Sequence, residues 1–209
     1  MKSDFSVQKI YNHKECYEWL LKKHYAHRIP PISHAFGLYE KGVLKGVCTF
    51  GIPANQFLCT GVAGEIWKSC VLELNRLVVD SDEQNITSWF VSRCFKTLIK
   101  PTFVVSYADT GQGHIGKIYQ ACNFLFTGTT KERTDPDLEG KHQRHIKTDG
   151  SVTKRRVRTA KHRYIMILGN KRVVKKMLSD LRYPILPYPK GDTHRYDASY
   201  NPISQMIMF

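Results

Sequence analysis

The residues best suited to chemistry lie in one short stretch, residues 106–121, which reads SYADTGQGHIGKIYQA. A strand-like run ends at Asp109, a glycine-rich turn follows, and a short helix then carries Tyr119. A carboxylate and a phenol can each move a proton, and Gly111 and Gly113 would let the backbone approach a ligand closely. The pattern predicts a cup for a planar base or a small reactive group at the end of this strand.

Each of these residues also has an ordinary structural interpretation. A tyrosine such as Tyr119 on an apolar helix face is more often a core residue, and Asp109 could simply form the turn beside the glycines. Arg76 lies in the apolar run VLELNRLVV and could pair with Glu73 or Asp80. What favours function is the shared unit of strand end, turn and short helix, which would place Asp109 and Tyr119 around one pocket.

The elements that must position these residues follow from the spacing of apolar side chains. A hairpin is predicted over residues 35–51 with its turn at Lys41 and Gly42, and Thr87 or Ser88 is expected to cap the second of four helices. The predicted helices span residues 13–28, 85–100, 113–124 and 171–181, and the other strands span residues 71–79, 101–109, 124–129 and 162–169. This order indicates an α/β (α+β) fold with a central mixed sheet flanked by helices.

The chain of 209 residues is long enough for one domain with a substantial core. We expect a single catalytic domain over residues 1–182, with a basic insertion at about 131–163. A tail rich in proline and tyrosine, residues 183–209, is expected to wrap the surface.

Charge is concentrated in one region. The chain carries a net charge of +14, and residues 131–176 hold fifteen Lys and Arg against five Asp and Glu. A solvated basic loop is the alternative, but a tract of one sign predicts a polyanionic partner, and we expect nucleic acid. The predicted contacts to the nucleic-acid backbone, which would be DNA if the resemblance given below holds, are Lys154, Arg155, Arg156, Arg158, Lys161 and Arg163.

The six cysteines show no CxxC pair and mostly lie in apolar strings, so they are expected to be buried and reduced. We find neither an apolar run long enough to span a membrane nor a signal-peptide pattern. These observations favour a cytoplasmic protein without a membrane partner.

The order of elements resembles the GNAT acyltransferase fold. In that fold a short helix carries a tyrosine acid before a Gly-Phe pair, and IYQACNF is similar, with Tyr119 as the acid and Asn123 in place of the glycine. The link VVDSDEQNITS, where GNAT proteins have a glycine-rich pyrophosphate loop, contains no glycine and three acidic residues. Ordinary binding of acetyl-coenzyme A is therefore disfavoured, although helix amides could still hold a phosphate.

A closer resemblance is to the Mom family of phage DNA-modification proteins. It covers most of residues 20–145 and rests on HYAHRIPPISHAFGLYEKGVLKGVCTFG, LELNRLVV, VVSYADTGQGHIGKIYQACNFLFTG and GKHQRH. The resemblance implies an enzyme, a divergent GNAT relative, that converts adenine in DNA to its carbamoylmethyl derivative and so protects phage DNA from restriction. The catalytic residues that it implies are His24, Tyr25, Asp109 and Tyr119.

The resemblance also suggests how a flipped adenine would be held. Asp109 would accept a hydrogen bond from the exocyclic amine or act as base, and Tyr107 or Tyr25 would stack on the ring. The group donor is either acetyl-CoA-like or glycine-derived, and iron is implied, with His24 and Asp109 as ligands. Substrate or cofactor contacts are expected from Arg76, Ser88, Ser106, Tyr107, Gly111 and Gly113.

Rival functions remain open at this point. A GNAT acetyltransferase acting on a protein or small-molecule amine would bind coenzyme A tightly. A non-enzymatic DNA-binding protein would tolerate the replacement of Asp109 by Asn. An RNA or nucleotide substrate cannot be distinguished from DNA by charge alone.

Overall fold

The structure, a computed structural model, describes residues 4–136, 154–192 and 204–206. The strands are β1 (Phe5–Ile10), β2 (His34–Glu40), β3 (Val43–Gly51), β4 (Val71–Val79), β5 (Thr102–Asp109), β6 (Leu125–Thr129), β7 (Arg133–Pro136), β8 (Lys154–Arg158), β9 (Lys161–Leu168) and β10 (Ser204–Met206). The α-helices are α1 (Gln56–Ala63), α2 (Ile86–Thr97), α3 (Lys117–Ala121) and α4 (Lys171–Ser179). No helix among these residues is both long and apolar enough to cross a membrane.

Seven of these strands form one mixed sheet in the order β1-β2-β3-β4-β5-β9-β6, and β10-β8-β7 form a small second sheet. The pair β4 and β5 is parallel, whereas its neighbours in the large sheet are antiparallel. Only three residue pairs join β4 to β5, from Val71 opposite Phe103 to Glu73 opposite Val105. Beyond Glu73 and Val105 the two strands separate, and we call the space between them the strand opening.

Helices cover both faces of the large sheet. The face that we call the α2 face packs against α2 and α3 and buries Phe90 and Phe124 completely. The other, the α1 face, packs against α1 and α4 around Phe103 and Val105. Burying a side chain of this size contributes about 1.5–3 kcal/mol, so both layers hold the parallel pair in place.

Alternation along the strands assigns each polar residue of the centre to a face. On β5, Val105 is in the α1-face core, so Tyr107 and Asp109 project to the same side. Val104 and Ala108 are in the α2-face core, so Ser106 projects there. The strand thus distributes the predicted site residues between two sides of the sheet.

Much of the predicted architecture is confirmed. A central mixed sheet flanked by helices is present, and the hairpin turns at Lys41 and Gly42, both with the positive φ that a tight hairpin turn requires. Asn123, at φ 60°, takes the left-handed conformation expected after α3. Five of the six cysteines are buried as predicted, whereas Cys70 is partly exposed.

Several predicted boundaries were wrong. The first helical segment consists of a 3₁₀ turn, His13–Cys16, and a π-helix, Trp19–Lys23. It ends at Lys23 rather than residue 28, because His24 is extended, with φ −101° and ψ 130°. Neither Thr87 nor Ser88 caps α2, since both lie inside its first turn after the N-cap Asn85. Neither β1 nor α1 was predicted; α1 is amphipathic, but Phe57 on its outer side is 85% exposed and blurs the pattern.

The tail beyond α4 packs on the sheet as far as the structure describes it. The amide of Leu186 donates to the carbonyl of Phe126, and the Tyr188 hydroxyl donates to the carbonyl of Phe124 at 2.7 Å. Residues 193–203 and 207–209 of the predicted tail and residues 137–153 of the predicted insertion lie outside the described residues.

Candidate active site

The strand opening lies at the carboxyl ends of two adjacent parallel strands, a common position for ligand sites in α/β sheets. One side chain bridges it: the Ser106 hydroxyl donates to the carbonyl of Leu74 at 2.9 Å. This bond satisfies the carbonyl of Leu74 at the point where β4 and β5 no longer pair with each other. Ser106 is fully buried, so it supports the edge of the opening.

A β-bulge in β4 directs side chains toward this opening. Thr49 pairs with Arg76 and Phe50 pairs with Leu74, which leaves Asn75 as the extra residue. Bulges commonly re-aim side chains next to active sites. Here the bulge follows Glu73 and precedes Arg76, so both charged side chains lie on the α1 face beside the opening.

The bulge residue also fastens residues 24–33, which we call the covering loop. The Thr49 hydroxyl donates to Asn75 Oδ1 at 2.6 Å, and Asn75 Nδ2 donates to the carbonyl of Pro31 at 2.8 Å. The segment that carries His24 and Tyr25 is therefore held against β4 by a side chain of the bulge.

Because Gly51 lies directly beneath this loop, Gly51→Ala is expected to destabilise the protein by about 1–3 kcal/mol. A Cβ at this position would run into the carbonyl oxygen of Pro31 and approach Asn75 Nδ2 to 2.9 Å. Urea unfolding would measure the loss, with Gly169→Ala as control, since its Cβ would meet nothing closer than 3.4 Å. Equal stability of the two variants would contradict the tight seating of the loop.

Arg76 ties the covering loop to β4 from the other side. Its guanidinium donates to the carbonyl of Asn75 at 2.6 Å and to the carbonyl of Arg28 at 3.3 Å. Burial lowers the pKa of Arg76, and the neighbouring Arg28 lowers it further. An arginine nevertheless remains charged, so Arg76 brings a fixed positive charge to the opening.

His24 and Tyr25 form an aromatic pair at the start of the covering loop. Their rings stack with centroids 4.5 Å apart, and His114 meets Tyr25 edge-on at 6.2 Å. His24 is 6% exposed, and its Nδ1 accepts a hydrogen bond from the Ala26 amide at 3.0 Å. This bond places the proton of the neutral ring on Nε2.

Burial, with smaller effects from Arg76, His27, Lys161 and His114, lowers the pKa of His24 from 6.5 to about 2. Below pH 6.5 the unfolded chain would gain a proton here that the folded chain refuses, so stability is lost as the pH falls. The slope should approach about 1.4 kcal/mol per pH unit for this residue.

We therefore expect His24→Gln to lose stability less steeply than the intact protein on acidification between about pH 6 and pH 5. Urea unfolding at several pH values measures the slope, with His13→Gln as control. An unchanged slope in His24→Gln would contradict a neutral, buried His24.

Asp109 is 7% exposed and fully engaged. Its Oδ1 accepts hydrogen bonds from the Gly111 amide at 3.1 Å and from the Thr159 hydroxyl, and its Oδ2 forms an ion pair with Lys161. These bonds order the glycine turn, and the Thr159 side chain fills the space where a Cβ of Gly111 would lie. In this arrangement Asp109 holds the turn in place.

Tyr119 approaches the opening from the α2 face. Its ring packs 5.3 Å from those of Phe124 and Tyr164, and burial raises its pKa to about 12, against an opposing hydrogen-bond effect of Ser106. Tyr119 and Asp109 therefore lie on opposite faces of the sheet and not side by side. Tyr119 interacts electrostatically with Arg76 and Glu73 instead.

The other residues predicted to contact substrate or cofactor lie in different parts of the structure. Tyr107 lies on the α1 face, where burial and the charge of Glu73 raise its pKa. Gly113, at φ 64°, ends the turn in the left-handed conformation. The Ser88 hydroxyl donates to the carbonyl of Asn85 within α2, so its described bond serves the helix.

Two of the predicted DNA contacts have internal partners. Lys161 pairs with Asp109, and Arg163 donates to the side chain and carbonyl of Thr127 at 3.0 and 2.8 Å while stacking on Tyr183. Arg158 ends β8, and its charge opposes the rise in the pKa of Glu73 that burial causes. The side chains of Lys154, Arg155 and Arg156 lie outside the described part of the structure, so their contacts stay a prediction.

The described residues do not fit the implied iron site. Among them, no group of three or more His, Cys, Asp or Glu side chains could hold a metal ion. The oxygens of Asp109 are occupied by the groups given above, and His24 Nδ1 accepts from an amide.

Glu73 is the residue that the sequence analysis missed. Glu73 was considered only as one of two possible partners of Arg76, the other being Asp80, and no ion pair joins Glu73 to Arg76 among the described residues. Its signal was present: it is the single acidic residue of an apolar strand that carries a candidate arginine three positions later.

The mixed sheet and its flanking helices define an α/β protein. More narrowly, the chain belongs to the Mom protein family, whose model matches residues 4–190. It is 32% identical over 188 residues to the methylcarbamoylase Mom of Escherichia phage Mu, covering 80% of this chain and 77% of that protein.

Solved structures that resemble this chain include acetyltransferases. An N-acetyltransferase from Staphylococcus aureus Mu50 matches with a TM-score of 0.48 and 16% identity, over 80% of this chain and all of that chain. A GNAT-family acetyltransferase from Bacillus cereus matches with a TM-score of 0.46 and 11% identity, over 79% of this chain and 99% of that chain.

Proposed function

We propose that this protein is a DNA-modifying transferase that attaches a carbamoylmethyl group to the exocyclic amine of adenine. The observation that carries the proposal is the arrangement at the strand opening. His24, Tyr25 and Arg76 border it on the α1 face, and Tyr119 reaches it from the α2 face. Membership of the Mom family and the methylcarbamoylase relative support the same reaction.

The residues around the opening suit the demands of this substrate. The amine of adenine is a weak nucleophile buried in the duplex, so the base must leave the stack and bind in a pocket. The stacked pair of His24 and Tyr25 offers an aromatic surface for a flipped base. Tyr119, protonated at neutral pH because its pKa is about 12, can donate a proton to a leaving group.

The residues that link β4 to α2 favour a donor whose binding does not depend on a coenzyme A pyrophosphate. This link carries Asp80, Asp82 and Glu83, and part of its backbone is used internally, since the Ile86 amide donates to the carbonyl of Glu83. Three carboxylates at this helix start would repel a phosphate. A glycine-derived donor therefore fits better than an acetyl-CoA-like one.

The charge of the chain supports a duplex as the carrier of the adenine. Reversing the charge of Arg155, Arg156 and Arg158 is expected to weaken duplex binding and to flatten its dependence on salt. Each lost phosphate contact should reduce the slope of log K against log salt by about 0.9. Fluorescence anisotropy at several salt concentrations measures this slope. The same reversal at Arg93, Lys96 and Lys100, exposed on or next to α2, is the control; equal losses for both triplets would contradict the assignment.

The proposed function is tested by nucleoside mass spectrometry of plasmid DNA from cells that express the protein. A deoxyadenosine heavier by a carbamoylmethyl group, absent with the Tyr119→Phe variant, is the expected result. An acetyl mass would point to an acetyltransferase acting on DNA. Unmodified DNA in the presence of soluble protein would contradict the proposal and favour a protein that only binds DNA.

A further inference from the structure

The short helix α3, which carries Tyr119, depends on contacts from outside itself. It spans only five residues, and its N-cap, Gly116, makes no side-chain hydrogen bond to the first turn. A helix this short is not stable through its own bonds, so tertiary contacts must fix its position. The groups that hold α3 therefore also decide where the Tyr119 hydroxyl lies.

Gln120, the residue after Tyr119, supplies several of these contacts. Its Nε2 donates to the carbonyl of Ile115 at 3.0 Å, to the Tyr164 hydroxyl at 3.1 Å and to the carbonyl of Pro189 at 3.4 Å. A primary amide has two N–H donors, so these acceptors share them. One side chain thus joins the segment before α3, strand β9 and the C-terminal tail.

The partner of Gln120 on β9 fixes the same segment a second time. The Tyr164 hydroxyl donates to the carbonyl of Ile115, and Tyr164 is completely buried in the α2-face core. A Cβ at Gly116 would run into the Tyr164 ring, so the chain enters α3 in close contact with it. The same ring packs 5.3 Å from that of Tyr119. Gln120 and Tyr164 together therefore fix both the start of α3 and the Tyr119 ring.

Pro189 belongs to a part of the tail that is itself anchored. The Arg182 amide donates to the carbonyl of Val62 in α1 at 2.9 Å. The Leu186 amide donates to the carbonyl of Phe126 in β6, also at 2.9 Å. Since β6 is the last strand of the large sheet, the tail passes around this edge from the α1 face to the α2 face. The acceptor that the tail offers to α3 is thereby fixed relative to the sheet.

We propose that Gln120 is a positioning residue, which holds α3 against Tyr164 and the tail so that the Tyr119 hydroxyl stays at the strand opening. This role rests on the proposed function, in which Tyr119 donates a proton to the leaving group. Gln120 acts through Tyr119 and does not touch the substrate. Without the amide donors α3 loses its ties to β9 and the tail, and a displacement of about 1 Å at a reacting group can lower a rate by about 100-fold.

The test uses Gln120→Met and Gln120→Leu, which remove the amide donors and keep a side chain that favours helix. Each substitution is made alone and together with Tyr119→Phe. The control is Gln8→Met, exposed on β1 at the opposite edge of the sheet. Purified protein is mixed with plasmid DNA and clarified host extract as the source of donor, at a temperature at which thermal unfolding shows every variant to be folded. The initial rate of deoxyadenosine modification is measured by mass spectrometry against DNA concentration.

We expect both Gln120 variants to lower the maximal rate by about 30-fold, with the DNA concentration for half-maximal rate unchanged within about twofold. In the Tyr119→Phe background the same substitutions should slow the remaining reaction by less than about twofold, because the hydroxyl that Gln120 positions is already gone. Hydrogen exchange of the α3 amides should be about tenfold faster in both Gln120 variants. Gln8→Met should behave like the intact protein.

Different results would overturn the two proposals. If the intact protein modifies DNA and both Gln120 variants keep its rate, the positioning role is wrong and the proposed function stands. If the Gln120 substitutions slow the intact protein and Tyr119→Phe by the same factor, Gln120 supports the fold in general and does not act through Tyr119. If the intact protein modifies no deoxyadenosine, the proposed function fails and the role of Gln120 fails with it.

Discussion

Tyr119→Phe is expected to lower the rate of DNA modification by about 100-fold or more while leaving the fold intact. Phe keeps the ring that packs against Phe124 and Tyr164, each 5.3 Å away. The substitution removes only the hydroxyl, which stays protonated at neutral pH because the pKa is about 12. The rate of appearance of modified deoxyadenosine, measured by mass spectrometry, tests the expectation.

The matched control is Tyr188→Phe, which also removes one tyrosine hydroxyl. That hydroxyl donates to the carbonyl of Phe124 and takes no part in the strand opening. Its loss should cost about 1 kcal/mol of stability and no activity. If Tyr119→Phe were as active as Tyr188→Phe, Tyr119 would be a core tyrosine and not the acid.

Arg76→Lys is expected to lower both activity and stability although the charge is kept. Lysine cannot reproduce the forked donation to the carbonyls of Asn75 and Arg28 that holds the covering loop. Loss of hydrogen bonds from a charged group should cost about 1.5–3 kcal/mol, and displacement of His24 and Tyr25 should lower the rate by about 100-fold. Urea unfolding and the mass-spectrometric rate measure the two effects.

Arg93→Lys is the control for this substitution. Arg93 lies exposed on α2, with its guanidinium 5.1 Å from the ring centre of Trp89. A change at such a surface position should stay within about 0.5 kcal/mol and leave the rate unchanged. Full activity of Arg76→Lys would mean that only the positive charge at the opening matters, and the loop-anchoring role of Arg76 would be wrong.

Some features of this fold could be predicted from the sequence, and others could not. The hairpin at Lys41 and Gly42 was predictable because the turn is specified by two residues that are adjacent in the chain. The end of the first helical segment was not predictable from the sequence, because the extended conformation of His24 depends on its burial beneath other segments. Asp109 and Tyr119 were predicted to share one pocket because the strand end, the glycine turn and the short helix follow one another in the chain. Strand alternation and the return of α3 separate them across the sheet.

The sequence by itself determined the mixed α/β fold, the excess of positive charge and the identities of His24, Tyr25, Arg76, Asp109 and Tyr119. These follow from local periodicity, composition and motif strings, which need no knowledge of distant contacts. Only the tertiary structure decided how the residues are used. The separation of β4 and β5, the bulge at Asn75 and the ion pair of Asp109 with Lys161 each join residues far apart in the chain. The engagement of Asp109 and the side of the sheet on which each residue lies depend on those long-range contacts, and no local pattern encodes them.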